Sequence, residues 1–261
     1  MKVDVCIAIS TVGSKINNLL IPAERDGVTY LVIHQVDSIK DKVPWLENNI
    51  RSDLSYVCMA DFGLSKSRNA VLSNCKSKYA YIMDDDVGFD LDKIQMLIKY
   101  MEEDKVDIAT CQFCYHDGSS PKKYRKEAFF HNILSVAKVA SIEICIKVSV
   151  LRKNNILFDE GFGLGTALPS GEEYIFLVDC LRAKLKVKYY PIVTGIHPNE
   201  TSGLDFFTST PKVLAKREML KKIFGWKSAA YILVFWVKKV PIAYRAGYGL
   251  AFTKTMLLGI K

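Results

Sequence analysis

The strongest constraint on this chain is an alternation. Over the first 110 residues, short β-rich apolar runs are separated by stretches with helical spacing, the pattern of a largely parallel sheet with helices packed on its faces. Val3 to Ser10, Thr29 to Gln35 (TYLVIHQ), Ser55 to Ala60, Tyr79 to Met83 (YAYIM) and Val106 to Phe113 read as five strands. Between the third and fourth lies GLSKSRNAVLSNC, where Ser65 is expected to cap a helix with Ala70, Val71 and Cys75 at helical spacing. Asp90 to Glu103 reads as a second helix. Ile142 to Val148 and Val187 to Val193 follow as strands, and Glu172 to Ala183 as a helix. The polar, basic stretch His116 to His131 is expected to be an exposed loop.

A chain of 261 residues, 49% of them apolar, can bury a core as one large domain or two small ones, which excludes disordered and fibrous classes. Its longest apolar run, Ala229 to Val237, stops at Lys238 and Lys239, far short of the ~20 residues that cross a bilayer. The start, MKVDVCIAIS, puts Asp4 inside the apolar stretch and lacks a small-residue cleavage site. It reads as a buried first strand of a cytoplasmic protein. Seven cysteines, an odd number set among apolar neighbours, read as reduced core residues. Cys111-Gln112-Phe113-Cys114 has no second cysteine pair to complete a zinc set and is read as structural.

Charge divides the chain. Residues 212–261 carry 11 Lys and Arg against Glu218 alone, while the rest carries 25 bases and 27 acids. This is an interaction tail on a near-neutral body: residues 1–205 as the body, residues 206–261 as a basic, amphipathic helical extension. The extension is expected to hold a helix from Val213 to Phe224, the apolar run, and Tyr244, Tyr248 and Phe252 on one helical face. Such a segment suits an anionic membrane surface; folding back onto the body or pairing in a homodimer are the alternatives. Nucleic acid is not an expected partner, because a long apolar run is out of place on a phosphate-binding surface.

Two acidic constellations carry chemistry. Asp84-Asp85-Asp86 follows YAYIM, which puts three carboxylates at the carboxyl end of a strand, the edge where open α/β sheets bind ligands. Three adjacent acids call for a cation, and oxygen-only ligands favour Mg2+, Mn2+ or Ca2+. Strand alternation would put Asp84 and Asp86 on one side, sharing a metal, with Asp85 on the other; the competing reading is a solvated turn. Later, GFGLGTALPSG supplies four glycines and ends at Glu172-Glu173 on the first turn of a helix. It reads as a closing loop that delivers a general base, or as a helix start whose dipole favours acids.

In order, GLSKSRN, YIMDDD, FDEGFGLG, GEEYIFLVDCLRA, KVKYYP and IHPNETSG make the chain resemble the family 2 glycosyltransferases of nucleotide-sugar-dependent GT-A type over about residues 3 to 205. The resemblance implies a Rossmann-like α/β fold, a nucleotide-sugar donor, a glycan or lipid-linked acceptor and a divalent metal, Mn2+ or Mg2+. It implies that Asp84, Asp85 and Asp86 form the DxD-like motif for metal and nucleotide, with Glu173 as catalytic base beside Glu172. It maps nucleoside binding onto Ser10, Thr11, Gln35 and Asp37, an approach to the nucleotide onto Arg68, and a third metal ligand onto His197. Arg68 is otherwise a surface arginine pairing with an acid. The Gln-x-x-Arg-Trp motif of the family's processive synthases is missing from this sequence, so a single addition is expected; inversion at the anomeric carbon and a place in cell-surface polysaccharide assembly are what the resemblance implies. The competing readings are a sugar nucleotidyltransferase, against which the single glycine of ISTVGSKINN counts, and a non-catalytic sugar-nucleotide-binding protein.

Overall fold

A computed structural model describes residues 4–38, 44–198 and 206–260. The strands are β1 Val5–Val12, β2 Val28–Gln35, β3 Leu54–Met59, β4 Tyr79–Asp84, β5 Gly88–Phe89, β6 Ile108–Tyr115, β7 Phe129–Phe130, β8 Ile144–Lys147 and β9 Val187–His197. The helices are α1 Pro44–Glu47, α2 Leu64–Asn74, α3 Leu91–Glu103, α4 Val148–Asn154, α5 Glu172–Arg182, α6 Thr210–Phe224, α7 Ser228–Arg245 and α8 Gly249–Thr253.

The strands form one mixed sheet in the order β3-β2-β1-β4-β8-β6-β9-β5, with β7 on β9. The expected parallel half is there: β3, β2, β1 and β4 run parallel. The segment read as a strand at Ile142 to Val148 shortens to β8 and runs antiparallel to both β4 and β6. In β1, alternate side chains enter opposite cores. Val5, Ile7 and Ile9 face α3, while Cys6 and Ala8 face the side covered by α2 and α5. Burial on both faces explains why VCIAI reads as an unbroken apolar run and not as an alternating one.

Register positions the site. Ser10 on β1 lies opposite Ile33 on β2 and Asp84 on β4, so the carboxyl ends of three adjacent parallel strands come out level. Asp90 caps α3 as expected, accepting from the Lys93 amide at 3.0 Å. Ser65 does not cap α2: the helix begins one residue earlier, at Leu64, behind Gly63, and the buried Ser65 hydroxyl donates instead to the Phe162 carbonyl at 2.6 Å.

The extension packs into the body. Val213, Met219, Leu220, Ile223, Ile232, Ala243, Phe252 and Met256 join the core layer that holds Ile33, Ile82 and Phe176. At about 1.5–3 kcal/mol for each large apolar side chain removed from water, this seam outweighs any charge preference of the tail. The expected single aromatic face is not formed. The chain turns at Gly247, φ +84°, between α7 and α8, so Phe252 is buried while Tyr244 and Tyr248 stay exposed. The outer side of α7 keeps Leu233, Val234 and Val237 in solvent, with Trp226 87% exposed just before it. Among the described residues, no helix is long and apolar enough to cross a membrane.

All seven cysteines are free. Cys111 lies in the core beside the Tyr81 and Thr194 hydroxyls, where burial pushes its thiol up to about 12, as a structural cysteine should be.

Candidate active site

The level strand ends form the floor of a cavity of about 690 Å³ whose lining includes Ser10, Thr11, Gln35, Asp84, Asp85, Asp86 and His197. A second cavity, about 330 Å³, adjoins it and is lined by Arg68, Glu172, Glu173 and Lys212. Leu64, Asp84, Leu164 and His197 border both, so Asp84 stands at the junction.

Strand alternation does not extend through the acidic triplet. β4 ends at Asp84 and the backbone turns at Asp85 and Asp86, so all three carboxylates line the same cavity. Asp85 bends toward β1, accepting a hydrogen bond from the Thr11 hydroxyl at 2.6 Å, with the Lys15 ammonium at 3.8 Å. Burial raises the Asp84 carboxyl above its ordinary range; Arg68 pulls it back, while Asp86, Asp85 and Glu172 push it further up.

Arg68 is neither a surface arginine nor a simple pair. It is 1% exposed, and its guanidinium meets Glu172 at 3.0 Å, Glu173 at 3.5 Å and Asp84 at 3.7 Å. Its guanidinium carbon lies 5.6 Å from the centre of the Phe158 ring, itself stacked on Phe176 at 4.0 Å. Burial disfavours its charge, yet Glu173, Asp84 and Glu172 together hold its pKa above the ordinary arginine value. One buried cation thus ties the strand end of β4 to the first turn of α5.

The two glutamates differ in environment. Glu172 is buried against Arg68, whereas the Glu173 side chain is 20% exposed and lines the second cavity. Burial, then repulsion from Glu172, pushes the Glu173 carboxyl up to about 8, with Arg68 opposing. A carboxyl held near neutral pH at a cavity wall is suited to proton transfer.

The glycine-rich loop is fastened. Leu64 donates to the Leu164 carbonyl at 2.9 Å, Gly163 to Leu168 at 2.9 Å, and Ser65 to Phe162. Its glycines serve close approach: at Gly165, φ +86°, a β-carbon would lie 3.2 Å from the Gly63 backbone. The loop expected to close over the site is, in this state, the wall that joins α2 to α5.

The remaining expected residues divide. Gln35 lines the large cavity, but its amide is engaged with Gly63 on both sides, donating to the carbonyl at 2.8 Å and accepting from the amide at 3.3 Å. Asp37 is exposed and outside the cavity lining. The Ser10 hydroxyl accepts a hydrogen bond from the Ser67 hydroxyl at 2.7 Å. His197 uses Nδ1 on the Pro198 carbonyl at 2.6 Å and borders both cavities. The motif IHPNETSG lies beyond the described residues from Asn199 to Gly203.

The donor set fits a divalent ion held jointly with a phosphate ligand. Asp84 has a buried carboxylate oxygen without a hydrogen-bond donor, and Asp86 reaches the same cavity. Among the described residues no group of three side chains closes on one point. Two carboxylates with the remaining ligands from substrate phosphates is how Mg2+ is commonly bound.

Sequence reasoning overlooked Lys15, Ser67, Phe62 and Lys212, all of which line one of the two cavities. Lys15 follows β1 directly, the position that signals it; Lys212 lies in the tail, and nothing local marks it.

Comparison with known proteins agrees with this geometry. A family model described as glycosyl transferase family 2 matches residues 51–164. No curated protein sequence matches the chain. The crystal structure of S. aureus TarS 1-349 in complex with UDP is similar at TM-score 0.58 and 16% identity, over 85% of this chain and 66% of that one. The UDP-GlcNAc complex of the same protein gives 0.57 and 14%, over 97% and 80%. A longer S. aureus TarS structure gives 0.57 and 17%, over 92% and 47%. At these identities the likeness is one of fold, and this chain spans just under two thirds of the first TarS chain.

Proposed function

We propose, from the match of residues 51–164 to the glycosyl transferase family 2 model, that the chain is a member of that family and transfers a sugar from a UDP-sugar to an acceptor hydroxyl with inversion at the anomeric carbon. The observation that carries this reading is Glu173: a carboxyl raised to about 8 at a cavity that meets the acidic strand-end cavity at Asp84. UDP and UDP-GlcNAc are bound by S. aureus TarS, whose fold is similar.

The large cavity takes the donor and the smaller one the acceptor. Ser10 and Thr11, at the level strand ends, line the nucleotide side, and Phe62 and Lys15 line the same cavity. Lys15 supplies positive charge toward the diphosphate. Asp84 and Asp86 would hold Mn2+ or Mg2+ against that diphosphate, which offsets the charge of the departing nucleotide. Glu173 takes the proton of the acceptor hydroxyl as that oxygen attacks the anomeric carbon from the face opposite the diphosphate. Glu172 keeps Arg68 in place, and Arg68 keeps Glu173 ionisable near neutral pH.

In this reading residues 1–205 form the catalytic unit, and residues 206–261 add a surface that meets an anionic membrane from the cytoplasmic side. Support for the latter is the outer face of α7, where Leu233, Val234 and Val237 stand beside Lys238. A homodimer through the same face is the alternative, and the molecular mass in solution separates the two.

The test is a panel of nucleotide sugars with Mn2+ or Mg2+, read first by thermal stabilisation and then by nucleotide release. A donor at 100 times its Kd stabilises by about 2.7 kcal/mol. UDP-GlcNAc is the first donor expected to stabilise. Binding without release of UDP under any acceptor condition would make the protein a non-catalytic binder, and stabilisation by no nucleotide sugar would overturn the assignment.

A further inference from the structure

A third cavity, of about 380 Å³, lies outside the site described above, and its lining is basic. Lys122, Lys123, Arg125 and Lys138 surround it, with Tyr124, Phe129 and Tyr189 among its walls. It gathers the stretch His116 to His131, which the proposed reaction leaves unused, with residues from β6 and β9.

The cavity is a built one. Its single acid, Glu143, is 1% exposed and fully engaged: it accepts from Lys122 at 2.7 Å, from the Ala140 amide at 2.7 Å and from the Tyr124 hydroxyl. Glu143 therefore neutralises Lys122 and fixes Tyr124. Among the described residues, Lys123, Arg125 and Lys138 have no carboxylate partner, and Arg125 lies 4.7 Å above the Phe129 ring. His131, buried between Thr110 at 2.8 Å and Ser135 at 2.9 Å, feels the same field: burial, then Lys122 and Arg125, lower its pKa to about 4. Three uncompensated cations around a concave surface with aromatic walls match an anionic group carried on a sugar ring. The charges meet the anion and the rings meet the apolar face of the sugar.

Its placement gives the ligand a role. Val139 and Glu143 line this cavity, while Ala140, Ser141 and Ile142, between them, line the cavity of Glu173. One five-residue segment is thus the shared wall of the two.

We propose that this basic cavity holds an anionic segment of the acceptor glycan, a phosphodiester or a carboxylate, so that a neighbouring hydroxyl reaches the cavity of Glu173. This deepens the transfer reading above and rests on it for the acceptor's role, though not for the binding itself. A concave pocket with aromatic walls favours a glycan over a flat lipid surface.

The test uses fluorescently labelled probes on the full chain: a glycerol-phosphate oligomer, a uronic acid oligosaccharide of equal length and a neutral maltooligosaccharide. One or both anionic probes should bind and the neutral one should not; which anion binds identifies the acceptor's charged group. Lys123→Ser/Arg125→Ser/Lys138→Ser should weaken that binding at least tenfold. A control with equal charge loss at exposed lysines outside the cavity, Lys99→Ser/Lys153→Ser/Lys186→Ser, should bind as the parent does. The single variant Lys123→Ser should show an intermediate loss and serves if the triple variant fails to fold. UDP affinity, measured on the same proteins, reports separately on the donor reading: it fails alone if UDP does not bind while the anionic probes do. Equal losses in both triple variants, or no binding of either anionic probe, overturns the proposal. Loss of anionic-vesicle binding in the cavity variant without any glycan binding would assign the pocket to a lipid headgroup and also overturn it.

Discussion

Replacing Arg68 by Gln removes the one cation that, among the described residues, touches Glu172, Glu173 and Asp84 together, and its effect can be worked from the distances. At 3.5 Å from Glu173, a unit charge in an effective dielectric of about 20 contributes about 5 kcal/mol to ionisation, an upper bound that partial exposure of Glu173 lowers to about 2–3 kcal/mol. At 1.36 kcal/mol per pKa unit, the Glu173 carboxyl would move from about 8 to above 9. In the parent, about one molecule in ten carries an ionised Glu173 at pH 7; in Arg68→Gln that fraction falls by a further factor of about 10 or more. The assay is kcat/KM for UDP release between pH 6 and 10. A general base must be deprotonated to act, so the parent rate should rise with pH and level off near 8. The Arg68→Gln profile should be displaced upward by at least one unit and recover much of its rate by pH 10. The substitution also leaves buried carboxylates unpaired, a loss of about 3–5 kcal/mol, so Tm is measured alongside. A uniformly lower rate with the same rise near pH 8 would refute the claim that Arg68 sets the ionisation of Glu173.

Glu173→Gln should keep UDP binding and lose about 10²–10⁴ in transfer at every pH, whereas Glu172→Gln should act mainly on stability by releasing Arg68. Glu173 is raised from 4.5 to about 8 in the folded protein, so the stability it contributes is present below 4.5 and lost as pH rises through 8. The Tm of Glu173→Gln should therefore gain on the parent's across that window, and a constant difference would contradict the shift. Asp86→Ala should abolish the Mn2+ dependence of UDP binding in calorimetry without changing Tm by more than a few degrees; unchanged metal-dependent affinity would reject that ligand. Gly165→Ala adds a β-carbon at φ +86° and 3.2 Å from Gly63, and should cost about 1–3 kcal/mol in denaturant unfolding. Val234→Ser/Val237→Ser should weaken sedimentation with anionic vesicles while leaving UDP affinity intact, and undiminished sedimentation would remove α7 from the membrane reading.

The half of the sheet whose strand ends form the large cavity was legible because its strands are parallel and buried on both faces. Continuous apolar runs such as VCIAI and YAYIM have few other readings, and an acidic triplet at the end of one is an exposed signal. The direction of β8 was not legible, since periodicity is blind to whether a strand runs up or down. Nor was the fate of Arg68: GLSKSRN gives its spacing, but the three carboxylates that surround it come from positions 84, 172 and 173, and only the folded chain brings them together. Asp85 was misplaced because alternation holds only while the strand continues, and β4 ends one residue before it.

The tail was separable by charge but is not separable by packing, and this changes what a truncation can mean. Lys212 lines the cavity of Glu173, and Met219 lies where a β-carbon on Gly171, the residue before Glu172, would meet its sulfur at 2.9 Å. Lys216 of the same helix has its pKa lowered by burial, with Glu173 among the charges that oppose the shift. The inner side of α6 therefore supports the first turn of α5, which carries the proposed base, while the outer side of α7 alone is available to a membrane or a partner. Removing residues 206–260 would strip apolar side chains such as Val213, Ile223 and Phe252 from the main core and unseat Glu173 together with the surface under test. Loss of activity on truncation would thus carry no information about membrane binding. Substitutions confined to Leu233, Val234 and Val237, which leave that seam untouched, are the perturbation that separates the two roles.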